Sequence, residues 1–270
     1  MTGTKYAVLS DIHGNLTALE AVLADVARQG VERILNLGDI LSGPIQPAET
    51  ADFLMARDFI TIAGNHERQL LQARAAQVID PLTSDGYAAM KIGASHAAWI
   101  ASIPASHWLE EDVLMVHGTP GSDLVYWLET VTQGMGIDGS RGMREATADE
   151  VSQRLASGSL QTGGASLVLC GHTHIPRAVQ CGATLIVNPG SVGLQAYEDA
   201  HPHPHRTENG SPHARYALVE RGNAGWSVDH RAIAYDWHAP AQLAAANGRP
   251  DWAYALTTGR TLPAVATIAP

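Results

Sequence analysis

Leu167-Val168-Leu169-Cys170-Gly171-His172-Thr173-His174 is the stretch on which the reading of this chain turns. A short apolar run, long enough for one buried strand, stops at a glycine and delivers two histidines one residue apart. Neighbours along an extended backbone point to opposite faces, so His172 and His174 can project the same way. Neutral imidazole is the commonest protein metal ligand, and a paired His-x-His at a strand end is half of a metal site. A surface turn that happens to carry two histidines is the competing reading. The rest of the chain decides between them.

The same design, an apolar run closed by a polar cluster, recurs upstream. Lys5 to Ser10 reads as a strand that ends at Asp11-Ile12-His13-Gly14-Asn15. Leu16, Leu19, Val22, Leu23 and Val26 follow at spacings of three and four, the pattern of an amphipathic helix. Asn15 or Thr17 caps that helix, Thr17 with Glu20 as a capping box, and Gly30 closes it. Arg33 to Leu37 is a second strand ending at Gly38-Asp39, and Ala48 to Ala56 is helical. Phe59 to Ile62 is a third strand, ending at Ala63-Gly64-Asn65-His66-Glu67, and Arg68 to Ser106 is mostly helical. Val113 to Val116 runs into His117-Gly118, and Thr184 to Val187 into Asn188-Pro189-Gly190-Ser191. Strand–helix alternation of this kind builds parallel sheet through right-handed crossovers. Ligands of such sheets gather outside the carboxyl ends of the strands, where these clusters fall.

The remaining segments read as additions to one domain spanning 1–270, with no linker that would separate two. Residues 119–164 are polar and glycine-punctuated, a cap-like insertion over the strand ends with helix around Leu124–Thr132 and Thr147–Leu155. Residues 195–214 hold His201, His203, His205, His213 and three prolines, and read as a flexible surface loop in preference to a metal-binding tract. Arg215–Glu220 and Trp226–Ala234 form a terminal hairpin turning at Gly222-Asn223-Ala224-Gly225, and a helical tail covers about 239–270.

Composition narrows the function. Of 270 residues 45% are hydrophobic and 16% charged, a globular balance. No apolar run reaches the roughly 20 residues that span a bilayer, and the start lacks the basic and apolar regions of a signal peptide. Two cysteines are too few for a disulfide scaffold, which together with these absences points to the cytoplasm. A formal net charge of −10 argues against binding extended nucleic acid, which needs Lys and Arg to displace counterions. An anionic small substrate stays compatible with it, because bound cations can reverse the local field.

Collected in order, the strand ends offer Asp11, His13, Asp39, Asn65, His66, His117, His172 and His174. Each alone has an ordinary explanation as a helix cap, a turn residue or a core-edge histidine. Their shared position does not, since independent polar residues would scatter over both ends of a sheet. Two divalent ions about 3.5–4 Å apart need a shared anion and mixed N/O ligands. Two Asp, four His and one Asn supply that set and leave a locally positive site, suited to a phosphate ester.

Asp-x-His, Gly-Asp, Gly-Asn-His-Glu, an isolated His-Gly and Gly-His-Thr-His, in this order, resemble the calcineurin-like metallophosphoesterase superfamily. Ser10 to Leu16 with a helix after it resembles its small bacterial phosphodiesterase branch, and Asn188-Pro189-Gly190-Ser191 the turn that follows there. The resemblance covers roughly residues 5–238 outside the His-rich loop. It implies a four-layer α-β-β-α sandwich, two mixed sheets flanked by helices. It also implies that Asp11, His13 and His174 hold one metal, that Asn65, His117 and His172 hold a second, and that Asp39 bridges both. His66 would then face the scissile phosphate as general acid or positive donor, with in-line attack by a metal-bridging hydroxide. The phosphoprotein phosphatases of the superfamily follow their Gly-Asp with an Asp that orients the catalytic His and an Arg that binds phosphate. Gly38-Asp39 continues Ile40-Leu41-Ser42-Gly43-Pro44 instead, so His66 is expected to lack that partner.

The expected activity is therefore dinuclear metal-dependent hydrolysis of a small phosphodiester, with nucleotides among the candidate substrates. Asn65, Arg68 and Tyr126 are the candidate substrate contacts. Arg68, Arg141 or Arg144 could supply an anion clamp, and Tyr126 with Trp127 could stack on a base, though burial in a cap is the plainer reading for that pair. Phosphomonoester or dinucleoside polyphosphate hydrolysis is the alternative, and a non-catalytic scaffold a more distant one, since no ligand position is eroded. Mixed N/O ligands suit Mn, Fe, Ni and Zn alike. Nothing in the sequence sets the oligomeric state.

Overall fold

Strands buried on both faces carry near-continuous apolar runs, and their alternation shows which neighbour each face meets. A computed structural model describes residues 4–76, 78–158, 160 and 162–263. In chain order the elements are β1 (Lys5–Leu9), α1 (Leu16–Arg28), β2 (Arg33–Asn36), α2 (Pro47–Met55), β3 (Ile60–Thr61), α3 (Asn65–Ala75), α4 (Ser84–Lys91) and α5 (Ala94–Ser102). Then come β4 (Ser106–Glu110), β5 (Val113–Val116), β6 (Glu129–Val131), β7 (Met143–Glu145), α6 (Ala148–Leu155) and β8 (Leu167–Leu169). The chain continues through β9 (Arg177–Cys181), β10 (Thr184–Asn188), β11 (Ala196–Asp199) and β12 (His205–Glu208). It closes with β13 (Ala214–Gly222), β14 (Gly225–Ile233), α7 (His238–Ala246) and α8 (Pro250–Thr258).

Two five-stranded sheets form, in the orders β14-β13-β1-β2-β3 and β4-β5-β8-β10-β9. Both are mixed: β1, β2 and β3 run parallel with β13 and β14 antiparallel beside them, and β5, β8 and β10 run parallel between antiparallel edge strands β4 and β9. Tyr6 and Val8 of β1 share one buried cluster with Val113 and Met115 of β5 and Leu167 and Leu169 of β8, so this cluster lies between the sheets. Ala7 and Leu9 face the other way, into Leu19, Val22, Ala51 and Leu70 of the helices. Leu114, Val116, Val168 and Ile186 form the outer face of the second sheet, covered by Trp127, Leu128 and Val151. Full burial of such a side chain contributes about 1.5–3 kcal/mol. This is the expected four-layer α-β-β-α sandwich.

Several local expectations are corrected. Residues 124–128 form no helix; Trp127 and Leu128 are drawn flat onto the second sheet, and the chain runs on into β6, paired with β7. The insertion thus covers a sheet face as well as the strand ends. Residues 195–214 are not a loose loop: β11 and β12 form a hairpin, and His205 is fully buried. Arg68–Ser106 holds α3, α4 and α5 but also leads into β4, an edge strand whose mixed burial hides it from pattern reading. Helix α1 is capped by Asn15, whose Oδ1 accepts from Ala18 N at 3.1 Å, in place of a Thr17–Glu20 box. The helical tail comprises α7 and α8, and the expectation for 264–270 lies outside the described residues. No described helix is long and apolar enough to cross a membrane.

Candidate metal centre

The loops leaving β1, β2, β3, β5, β8 and β10 converge at one end of the sandwich. Their backbones zip together: Asp11 N donates to Gly38 O, His13 N to Asp39 O, Gly171 N to His117 O and Gly193 N to Asp11 O, all at 2.7–3.0 Å. The two sheets approach closely at Gly171, where an added Cβ would stand 2.0 Å from Ser10 Oγ and 3.0 Å from Asp11 Oδ2. The residue is glycine because the strands approach there, not because the backbone turns left-handed.

Six described non-glycine residues have positive φ: Asp11, His13, Asp39, Asp138, His172 and His174. Such backbone is strained in L-residues and persists where the surroundings over-determine it. All but Asp138 belong to the converging cluster, so the strain is concentrated on the residues that the sequence singles out.

The side chains fall into two groups, Asp11 with His13 and His174, and Asp39 with His117 and His172; within each the donor atoms lie within 4.8 Å of one another. Three imidazoles donate Nδ1–H to backbone carbonyls at 2.7 Å: His13 to Ser42, His117 to Leu37 and His174 to Leu194. These bonds orient the rings and turn Nε2 inward, the usual arrangement behind a metal-ligating histidine. His13 Nε2 and His174 Nε2 then stand 3.1 Å apart, lone pair toward lone pair unless a cation lies between them. Asp11 is completely buried, and neither of its carboxylate oxygens has a hydrogen-bond partner; Asn65 Oδ1 is likewise unpartnered, and His117 Nε2 faces only Asp39 Oδ2, 3.0 Å away. Asn65 Nδ2 is spent on Gln69 Oε1 at 3.0 Å, which leaves its oxygen for the site. A bare buried carboxylate costs several kcal/mol without a compensating cation. The orphaned atoms are therefore oxygen and imidazole donors suited to divalent metals, and the residues present fit a two-metal site.

Electrostatics separate the histidines. Burial, reinforced by His174, lowers His13 to about 4, and burial with His117 lowers His172 to about 4, so both rings are neutral donors. Burial also opposes protonation of His117 and His66, but Asp39 outweighs it, raising them to about 10 and about 9. Burial raises Asp39 in turn, and His117 and His66 more than reverse it, holding its carboxyl well below the usual range.

His66 opens α3 beside Asn65. Its backbone N–H donates to Asp39 Oδ1 at 2.9 Å, and its ring packs edge-on to His13 at 5.5 Å between centroids. No Asp follows Gly38-Asp39, as expected, but His66 has a carboxylate partner from elsewhere: Nδ1 meets Asp85 Oδ1 at 2.9 Å, from α4. Glu67, quoted in its motif without a role, accepts from Asp39 N, Ile40 N and Gly64 N at 2.7–2.9 Å and clamps the loops after β2 and β3. Its position three residues past Gly64 is the capping signal that announces it. No comparable signal marks Asp85.

A cavity of ≈ 1610 Å³ opens over both groups, walled by Tyr126, Glu129 and Arg154 on one side and Tyr197, Arg249 and Trp252 on another. Asn65 and His66 line it. Arg68 does not; it points to Asp123, 2.8 Å away. Tyr126 is 7% exposed, its ring edge-on to His172 and its hydroxyl tied to Tyr197 at 2.6 Å and His205 at 2.9 Å, while Trp127 is core. Tyr197 also donates to His172 O at 3.1 Å, so the hairpin read as loose braces a ligand-bearing turn.

A calcineurin-like phosphoesterase superfamily domain matches residues 5–205. The fold resembles a metallophosphoesterase from Sphaerobacter thermophilus, at TM-score 0.69 and 22% identity over 95% of this chain and 99% of that one. It is similar also to a hypothetical protein from Pyrococcus horikoshii OT3, at TM-score 0.68 and 17% identity over 96% and 99%. An uncharacterized protein of Methanocaldococcus jannaschii is 38% identical over 71 residues, 26% of this chain and 29% of that relative's length. With the domain match covering most of its length, the chain belongs to the calcineurin-like phosphoesterase superfamily.

Proposed function

We propose that this protein is a two-metal phosphodiesterase acting on a small, singly charged phosphodiester in the cytoplasm. The observation that carries this reading is the engagement of the arginines. Among the described residues only Arg154 and Arg249 line the cavity as guanidinium groups, and both are occupied. Arg154 donates to Trp127 O, Glu129 O and Thr130 Oγ1; Arg249 donates to Asp251, Leu82 O and Ser84 Oγ. The other clamp candidates are spent elsewhere, Arg68 on Asp123, Arg141 on Glu208 and Arg144 on Glu150. A monoester dianion or a polyphosphate chain would therefore meet His66 but no guanidinium that is not already committed to other acceptors. A diester, with one charge and two substituents, needs none, and the cavity has room for both substituents.

Asp11, His13 and His174 would hold one ion, and His117, His172 and Asn65 the other, with Asp39 between them. When bound, two divalent ions (Mn, Fe, Ni or Zn) supply charge stabilisation and lower the pKa of water toward neutrality. The chain's own contribution is orientation by the tethered imidazoles and a proton from His66 to the leaving oxygen. Metal-loaded protein is expected to hydrolyse bis(4-nitrophenyl) phosphate faster than 4-nitrophenyl phosphate or a dinucleoside polyphosphate. A faster monoester or polyphosphate reaction overturns the diester reading, and no hydrolysis with any of the four metals favours a scaffold. His66→Ala should retain both metals and lose about 10²–10⁴-fold in turnover; loss of a metal instead would make His66 a ligand.

A further inference from the structure

The pairing of His66 with Asp85 spans two helices and is secured from a third place in the chain. Asp85 is the second residue of α4, in a turn capped by Thr83 Oγ1, which accepts from Gly86 N at 3.1 Å. Arg249, at the start of α8, donates through Nη1 to Leu82 O at 3.1 Å and Ser84 Oγ at 3.3 Å. Its remaining nitrogens are held by Asp251 at 2.6–3.2 Å, so the guanidinium is fixed from both sides. The helix pair that carries Arg249 is itself moored beside the site. Asn247 Nδ2 donates to Pro44 O at 2.9 Å, and the Trp252 ring lies edge-on to His13 at 5.9 Å. These tail residues follow position 205, beyond the stretch that the family domain matches.

We propose that Asp85, seated by Arg249 of the C-terminal helix pair, is the positioning residue for His66. The inference rests on the reading of His66 as proton donor. Asp85 accepts the Nδ1 proton and fixes the ring, while Nε2 is engaged by no protein group among the described residues. In the reaction a water oxygen forms a new bond to phosphorus and gives up a proton to solvent. The P–O bond to the leaving group breaks with its electron pair on oxygen, and that oxygen takes the Nε2 proton. Nδ1 keeps its proton on Asp85, and the neutral ring regains a proton from solvent. Asp85 and His66 are 21% and 28% exposed at the side chain, so water reaches the pair for that return.

Leaving-group dependence separates this role from a merely structural one. Bis(4-nitrophenyl) phosphate releases a weakly basic phenolate that needs little protonation, whereas diphenyl phosphate releases a more basic one. With metal-loaded protein, Asp85→Asn should lower kcat on diphenyl phosphate by about 10–100-fold, the usual effect of an orienting partner. The loss on bis(4-nitrophenyl) phosphate should be several-fold smaller, with KM and metal content unchanged, and Asp85→Glu should recover part of it. Arg249→Ala should shift the same ratio in the same direction by less. Equal losses on the two substrates, no loss, or loss of metal from Asp85→Asn overturn the proposal. His66→Ala is the control. If it leaves the ratio unchanged, the proton-donor reading falls and takes this proposal with it; if it shifts the ratio and Asp85→Asn does not, only the assignment of Asp85 falls.

Discussion

Asp11 and Asp25 are both buried carboxylates, 0% and 5% exposed, and the fold treats them in opposite ways. Asp25, on the sheet-facing side of α1, accepts from Arg28 at 2.9 Å, Tyr216 at 2.7 Å and Arg231 at 2.8 Å. Asp11, two residues past β1, accepts nothing; its nearest cationic candidate is His174 Nε2, 3.4 Å from Oδ1 and off any hydrogen-bond line. Evenly satisfied acid is what holds a helix to a sheet. Unsatisfied acid at a strained turn is a place kept for something that binds. The same contrast separates the two ends of the sandwich. Opposite the ligand groups, Tyr6, Arg33, Glu110, Arg221, Asp112, Ser166 and Trp226 close on one another through ion pairs and hydrogen bonds.

The largest expected effect tests the bare acid. Because a second-sphere partner alone costs about 10–100-fold, Asp11→Asn should lower turnover more than about 10²-fold and reduce bound metal, measured by elemental analysis. Its metal-free stability should not fall below the parent's, since no hydrogen bond is removed and an uncompensated buried charge is relieved; a variant that keeps two ions and full turnover would erase the contrast. Next, metal added to stripped protein at a hundred times Kd should stabilise it by about 2.7 kcal/mol, read as a rise in Tm. Asp11→Asn should blunt that rise and Asp25→Asn should not. Asp25→Asn should cost roughly 2 kcal/mol with or without metal, and leave kcat unchanged. Burial raises the Asp25 carboxyl, but its hydrogen bonds with Arg231, Tyr216 and Arg28 prevail and hold it at about 2, below its unfolded value. Its contribution is therefore complete above about pH 4 and is lost as pH falls through about 2. An acid-unfolding profile that Asp25→Asn leaves unmoved would remove this acid from the account. Smallest of all, Asp112→Asn should cost at most about 1 kcal/mol, because its partner Arg221 is 38% exposed and screened by solvent.

The candidate ligand positions and the central strands were readable because each depends on local order: an apolar run, then a polar turn. Asp11, His13, Asp39, Asn65, His117, His172 and His174 all sit at such junctions, and the structure brings them to one end. What was not readable depends on tertiary company. The run Leu124-Val125-Tyr126-Trp127-Leu128 has the apolar density of a helix, yet the outer face of the second sheet takes Trp127 and Leu128 from a bending, non-helical chain. The hairpin of β11 and β12 hides behind prolines and histidines because what buries His205 is Tyr126, 79 residues away. Asp85 has no motif at all. Its meaning comes only from the packing of α4 against α3, which brings its carboxylate to the ring of His66.

The central strand of the first sheet has one further consequence, for the order in which this molecule can be made. β1, which delivers Asp11 and His13, is flanked on one side by β13, with Val8 opposite Ala217. The second sheet, by contrast, is drawn entirely from residues 106–188. During synthesis that sheet can pair early, while β1 waits with an open edge until some two hundred further residues have emerged, a slow long-range closure. Both candidate ligand groups draw on loops from the two sheets, so a nascent chain stopped before β13 holds every one of their side chains but lacks the strand that pairs with β1. The two groups are thus completed in sequence long before the first sheet can close around them.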